Sequence, residues 1–129
     1  GFSSLIAVDY SEGMLEVARQ KMVYQELHQC DLSGPTEFKE SSVDSVITCG
    51  TTSQMPCASL QEFVRIVRPG GHIIFAVVPD AWDKFGYARA FSKLESGGLI
   101  SVESRGQPFQ MLPTTEPEFL CEIWVMIVH

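Results

Sequence analysis

The sequence predicts an α/β fold: a doubly wound, mainly parallel sheet with helices on both faces, closed by an antiparallel strand pair at its C-terminal end. Three observations carry that expectation. Short apolar runs alternate along the chain with stretches of helical period. The run HIIFAVV is nearly all apolar and rich in β-branched residues, as a strand covered on both sides would be. The last two extended segments are joined only by Pro113-Thr114-Thr115-Glu116-Pro117, which suits an antiparallel turn rather than a helical crossover. The 129 residues are read as one domain.

Taken in order, Leu5 to Val8 is a short apolar strand that ends at Asp9. From Ser11 the period changes: Met14, Ala18 and Met22 recur at i+4 with Leu15 beside them. Ser11 is a sound N-cap there, and Glu12 suits the positive end of the helix dipole. Residues 24–32 are a weaker strand, followed by a loop rich in Ser, Gly and Pro. Val43 to Cys49 reads as a strand ending at Gly50. Leu60, Phe63, Val64 and Val67 form an amphipathic stripe, stopped by Pro69-Gly70-Gly71, where a positive φ is expected. His72 to Val78 is the central strand. Trp82, Phe85, Ala88, Phe91 and Leu94 step by three, predicting one helix up to Gly97-Gly98. Ile100, Val102, residues 107–112 and residues 119–128 supply the closing strands.

Composition narrows the function classes. The chain is 45% hydrophobic and 19% charged, which is globular rather than disordered. Sixteen acids against nine bases give a net charge of -7, which disfavours a nucleic-acid or anionic-membrane partner. The longest apolar runs are too short to span a bilayer. Cys30, Cys49, Cys57 and Cys121 contain no CxxC pair, so they fit buried thiols in a reducing, cytoplasmic setting better than a disulfide framework or a zinc site.

In open parallel sheets, ligands bind beyond the carboxyl ends of the strands. The residues there are Asp9 and Tyr10, Asp31 and Leu32, Cys49 and Gly50, Val78 and Asp80. Asp9 could accept from vicinal hydroxyls, or simply cap the helix that follows. Asp31 could accept from an exocyclic amine, or serve as a turn residue. Tyr10 and Met14 could flank an adenine ring, though Met14 equally fits the core stripe. His28 and Cys30 make too poor a ligand pair for a metal. His72 reads as a structural histidine. Trp82, Phe85 and Tyr87 could give a pocket an aromatic wall, though Trp82 and Phe85 equally fit the core face of their helix, the reading preferred for Phe85.

The phrases IAVDYSEGMLEVARQK, HQCDL, SVDSVITCGTTSQM and LQEFVRIVRPGGHIIFAV resemble the class I S-adenosylmethionine-dependent methyltransferases. The stretches MPCASLQEFVRIVRPGG and MVYQELHQCDLSG are most similar to the Williams-Beuren syndrome region methyltransferase-like proteins. The resemblance runs from the family's second strand onward, so the family's first strand and glycine-rich loop are expected to be missing. It implies S-adenosylmethionine as cofactor and methyl transfer to an unspecified small molecule or protein. It places Asp9 on the ribose hydroxyls, Tyr10 and Met14 along the adenine, Asp31 on the adenine amine with Leu32 beside it, and Cys49 and Gly50 toward the sulfonium end. The acceptor pocket would lie over residues 50–55 and 78–91. The alternatives are a non-catalytic methyltransferase-like module and, well behind, a nicotinamide-dependent dehydrogenase, whose Tyr-x-x-x-Lys the sequence lacks.

Overall fold

The computed structural model describes residues 2–51 and 54–129. The part of the expected acceptor loop at Thr52 and Ser53, and the side chain of Asp80, lie outside what it describes. The chain divides into two compact units, Gly1–Thr36 and Glu37–His129.

The first unit is one β-α-β turn of the chain. Strand β1 (Ile6–Asp9) pairs in parallel with β2 (Glu26–Gln29), Ile6 opposite Glu26 and Asp9 opposite Gln29. Helix α1 (Glu12–Gln20) makes the crossover. Its N-cap is Ser11, whose hydroxyl accepts from the Met14 amide at 3.3 Å, satisfying one of the orphan donors of the first turn. The expected apolar stripe is corrected here. Leu15 is the buried side chain of the helix, whereas Met14 is 57% and Met22 90% exposed. The inner face is centred on Leu15 with Ala18 half-buried beside it, which turns Met14 outward. Met22 falls after the helix ends, at φ 54. Strand β2 is also shorter than the residues 24–32 expected of it.

The second unit carries strands β3 (Val43–Thr48), β4 (Val67–Val77), β5 (Ile100–Arg105), β6 (Phe109–Leu112) and β7 (Glu116–Val128). Helices α2 (Ser59–Ile66), α3 (Pro79–Lys84) and α4 (Tyr87–Ser96) connect them. The strand order is β3-β4-β7-β5, with β6 also paired to β7. The β3–β4 pair is parallel, as a helical crossover through α2 requires. All pairings of β7 are antiparallel, to β4, β5 and β6. Antiparallel pairing thus extends beyond the expected closing pair, and this sheet is mixed. The thirteen-residue length of β7 permits it, because its first half pairs with β6 while its second half lies between β4 and β5.

Two glycines set the entry to β4. Opposite β3 the register jumps from Val43–Val67 to Ser45–His72, so residues 68–71 bulge out of the ladder. Gly70 takes φ +78, the left-handed conformation expected of this turn. Gly71 has no room for a side chain: a Cβ there would lie 2.4 Å from the Asp44 carbonyl oxygen.

The core of this unit lies on the face of β4 that carries Ile73 and Phe75, beside Met126 of β7. The Phe75 ring meets Tyr87 at 5.4 Å and Phe91 at 5.8 Å, both edge-on as ring quadrupoles favour. Trp82 of α3 packs on Trp124 of β7 at 4.4 Å. The single helix expected from Trp82 to Leu94 is instead two helices. Gly86 at φ +77 breaks the run, a conformation that ends α3 and starts α4 at Tyr87. Phe85, just before the break, is 40% exposed, which corrects its reading as a core residue. His72 is half-buried, its Nε2 3.5 Å from Glu103. No described helix is long and apolar enough to cross a membrane.

Candidate functional site

The parallel pairing of β1 and β2 brings two carboxylates to one end of the first unit. Asp9 is the last residue of β1, and the Cys30 amide continues the ladder by donating to the Asp9 carbonyl at 3.0 Å. Asp31 follows directly, so both acids sit at the carboxyl end of the strand pair, where α1 also begins.

Both acids are oriented in the same way. Asp9 Oδ1 accepts from the Ser11 amide at 2.8 Å. Asp31 Oδ1 accepts from the Ser33 amide at 2.9 Å and from the Ser33 hydroxyl at 2.5 Å. Each carboxylate is therefore fixed through one oxygen by a serine two residues on, the Asx-type turn that short acids favour. The second oxygen of each has no hydrogen bond among the described residues. The Ser33 hydroxyl, and after it the Ser33 amide, hold the Asp31 carboxyl below its ordinary range, so it stays ionised and acceptor-only. The sequence reading treated Ser11 as a helix cap and Ser33 as loop. The signal that would have found their second role is the repeated D-x-S, Asp9-Tyr10-Ser11 and Asp31-Leu32-Ser33.

Apolar surface flanks the acids. Tyr10 is 74% exposed, its carbonyl accepting from the Gln29 side-chain amide at 3.0 Å, and Met14 is exposed on the first turn of α1. Leu32 is half-buried. Two acceptor-only carboxylates and an exposed ring and thioether are groups that can accept hydrogen bonds and cover a flat ring. His28, already too poorly partnered in sequence to suggest a metal site, lies 2.7 Å from the Glu26 carboxylate. Among the described residues no three His, Cys, Asp or Glu side chains gather as a metal site would need.

In the second unit, Cys49 and Gly50 are exposed just past the carboxyl end of β3, with Gly50 at φ +72. Across the sheet at this level stand Thr48, Phe75, Trp124 and Arg105. Next to them is a buried acid that the sequence reading missed. Glu122 accepts from Arg105 Nε at 2.8 Å and from Trp124 Nε1 at 3.0 Å, while the Arg105 guanidinium stacks 4.6 Å over Trp124. Arg105, and then the Trp124 indole, hold the Glu122 carboxyl below its ordinary range. Its acceptor capacity is largely used, which makes it a structural pair. Tyr87, a candidate for an aromatic wall, is only 1% exposed and belongs to the core; Trp82 is half-buried against Trp124.

Comparison with known proteins bears on the family and the fold. A family model described as a methyltransferase domain matches residues 1–75. Methyltransferase-like protein 27 of Homo sapiens is 39% identical over 74 residues, covering 55% of this chain and 30% of its own length. Demethylmenaquinone methyltransferase of Clavibacter sepedonicus is 29% identical over 126 residues, covering 87% of this chain and 51% of its own length. The chain thus spans about half or less of these two curated relatives. Among solved structures, a Haloferax volcanii methyltransferase in complex with the Trm112 activator superposes at a TM-score of 0.73, with 19% identity, 99% of this chain and 72% of that one. A Methanosarcina mazei SAM-dependent methyltransferase also gives 0.73, with 12% identity, 97% of this chain and 82% of that one. At these identities the two structures speak for the α/β fold. The family model covers 75 of the 129 residues, more than half, and so the chain belongs to the methyltransferase domain family.

Proposed function

We propose that the protein transfers a methyl group from S-adenosylmethionine to an acceptor, with residues 1–129 serving as its methyltransferase-like domain. The observation that carries this reading is the pair of D-x-S carboxylates at the carboxyl end of β1 and β2, each with one oxygen held and one open. When bound, the cofactor supplies a carbon already activated by its sulfonium, so the protein's task is position and exclusion of water. The open oxygen of Asp9 would accept from the vicinal ribose hydroxyls, and that of Asp31 from the adenine amine. Tyr10 and Met14 would flank the base, with Leu32 beside it. Within the second unit, Cys49 and Gly50 are the positions we assign to the methionine and sulfonium end.

The net charge of -7 weighs against a nucleic-acid acceptor. Four free cysteines support a reducing, cytoplasmic location. The demethylmenaquinone named for the Clavibacter relative makes a quinone-type acceptor the first class to screen.

The test is calorimetric titration with S-adenosylhomocysteine, using NAD as a control, on the parent chain and on Asp9→Asn. The amide keeps an oxygen for the Ser11 N–H but replaces the open acceptor with a donor. Affinity for the cofactor product should fall by about 1–3 kcal/mol, the worth of hydrogen bonds to a charged group. Unchanged affinity would remove Asp9 from the site. Absence of binding to the parent chain would favour a non-catalytic, partner-binding module.

A further inference from the structure

Two hydroxyls at the carboxyl end of β3, Thr48 Oγ1 and Thr51 Oγ1, are buried without a hydrogen-bond partner among the described residues. Thr48 is only 8% exposed. A hydroxyl taken out of water unbonded costs about as much as a lost hydrogen bond, so natural proteins rarely leave one idle unless a ligand or water completes it. Here two such groups lie three residues apart.

Their setting is specific. Thr48 is in register with Phe75 in a parallel pair, so its side chain points to the face where Phe75 meets Tyr87 and Phe91. The Thr51 carbonyl accepts from the Gln54 and Met55 amides, both at 2.9 Å, and the Met55 carbonyl accepts from the Tyr87 hydroxyl at 2.6 Å. Between the two threonines Gly50 turns the chain at φ +72, and a Cβ built there meets nothing within 4 Å. The two threonines thus flank a turn that has open space at Gly50. The neighbouring side chains Met55, Phe75 and Tyr87 are all buried. Burial, with the nearby Cys57, pushes the Tyr87 hydroxyl up to about 12, as a medium that penalises charge would.

We propose that Thr48 and Thr51 form the polar lip of the acceptor pocket and bind an uncharged oxygen function, a hydroxyl or carbonyl, of the methyl acceptor. A charged head group would lose its hydration against the buried Met55 and Phe75 side chains. An uncharged oxygen can both donate to and accept from the threonines. This inference rests on the methyl-transfer reading but concerns the second unit alone.

Phenol and toluene are the probes, because they differ by a hydroxyl in place of a methyl group. Binding of each is followed by NMR titration of the full chain, of Thr48→Val and of Thr51→Val, which keep the side-chain shape and remove the hydroxyl. The parent chain should prefer phenol about 3- to 10-fold, the worth of a net hydrogen bond or slightly more. That preference should disappear in each variant, while the ligand-free melting temperature stays level or rises, since an uncompensated buried hydroxyl has been removed. No preference in the parent chain overturns the proposal, and so does a preference that survives both substitutions. Lower melting temperatures in both variants overturn it as well, because the hydroxyls would then be holding an internal water. S-adenosylhomocysteine titrated into the same samples keeps two failures apart. Its failure to bind defeats the methyl-transfer reading, whereas its binding beside an unaltered phenol preference defeats only the role of the threonines.

Discussion

Tyr87 joins two parts of the second unit through one atom. Its ring is 1% exposed against Phe75, and its hydroxyl donates to the Met55 carbonyl at 2.6 Å. Tyr87→Phe keeps the ring and leaves that carbonyl unpaired, so unfolding free energy should fall by about 1–2 kcal/mol. The pH dependence has a definite sign. Burial raises the folded hydroxyl from its ordinary 10.0 to about 12, so the contribution is complete below pH 10 and drains away as pH rises toward 12. Urea unfolding at pH 8 and pH 11 checks both points: the parent chain should lose more than Tyr87→Phe between the two, and equal losses would detach the alkaline limb from this group. At this scale the sequence was legible for place along a strand: Asp9 ends β1, and Asp31 lies just past the end of β2. It was illegible where burial decides. The i+4 spacing of Met14 fitted a core stripe as well as a ligand face, and only packing shows that Leu15 took the inner position. Nothing in the string marks the Thr48 and Thr51 hydroxyls as unpartnered, because a missing partner is a property of the folded neighbourhood.

Between elements, the link from α2 into β4 asks two different things of adjacent glycines. At Gly70 the demand is conformational: φ is +78 and the space beside it is open, so Gly70→Ala should cost roughly 1–2 kcal/mol of left-handed strain. At Gly71 the demand is steric, because a Cβ would meet the Asp44 carbonyl at 2.4 Å and a Val67 methyl at 2.6 Å. Backbone cannot move away cheaply there, and overpacking of this kind costs about 1–3 kcal/mol or more. Gly71→Ala should therefore melt below Gly70→Ala, with the β3–β4 register the first feature to suffer; the reverse order would mean that the bulge at residues 68–71 relaxes freely. The need for this turn was readable from Pro69-Gly70-Gly71. The break at Gly86 was not, since Trp82, Phe85, Ala88 and Phe91 continue a step of three straight through it. Strand β7 shows the same limit. Its apolar run announced a strand, but partnership with β4, β5 and β6 depends on pairings distant in sequence.

Over the whole molecule, the two units differ sharply in how much core each possesses. Among the described residues of the first unit, Leu15 is the buried apolar side chain, while Leu60, Phe63, Ile73, Phe75, Phe91 and Met126 are among those of the second. A two-stranded pair with one helix hides little surface and is marginal by itself, whereas a five-stranded sheet packed on helices has the makings of a stable core. Native-state hydrogen exchange should therefore separate them. The Gln25 and Cys30 amides, bonded to the Leu5 and Asp9 carbonyls, should open at lower free energy than the amides of β4 and β7. If they share one opening free energy, the chain unfolds as a single cooperative body. The same amides also report on function. A ligand that binds only the folded first unit stabilises it by mass action, about 2.7 kcal/mol at a hundredfold excess over its dissociation constant. S-adenosylhomocysteine at that excess should slow exchange at Cys30 in the parent chain and do so less in Asp9→Asn. If the thinly cored first unit holds the ligand, it gains order when the ligand arrives, and equal protection in both chains would place the cofactor somewhere other than the Asp9 end of β1.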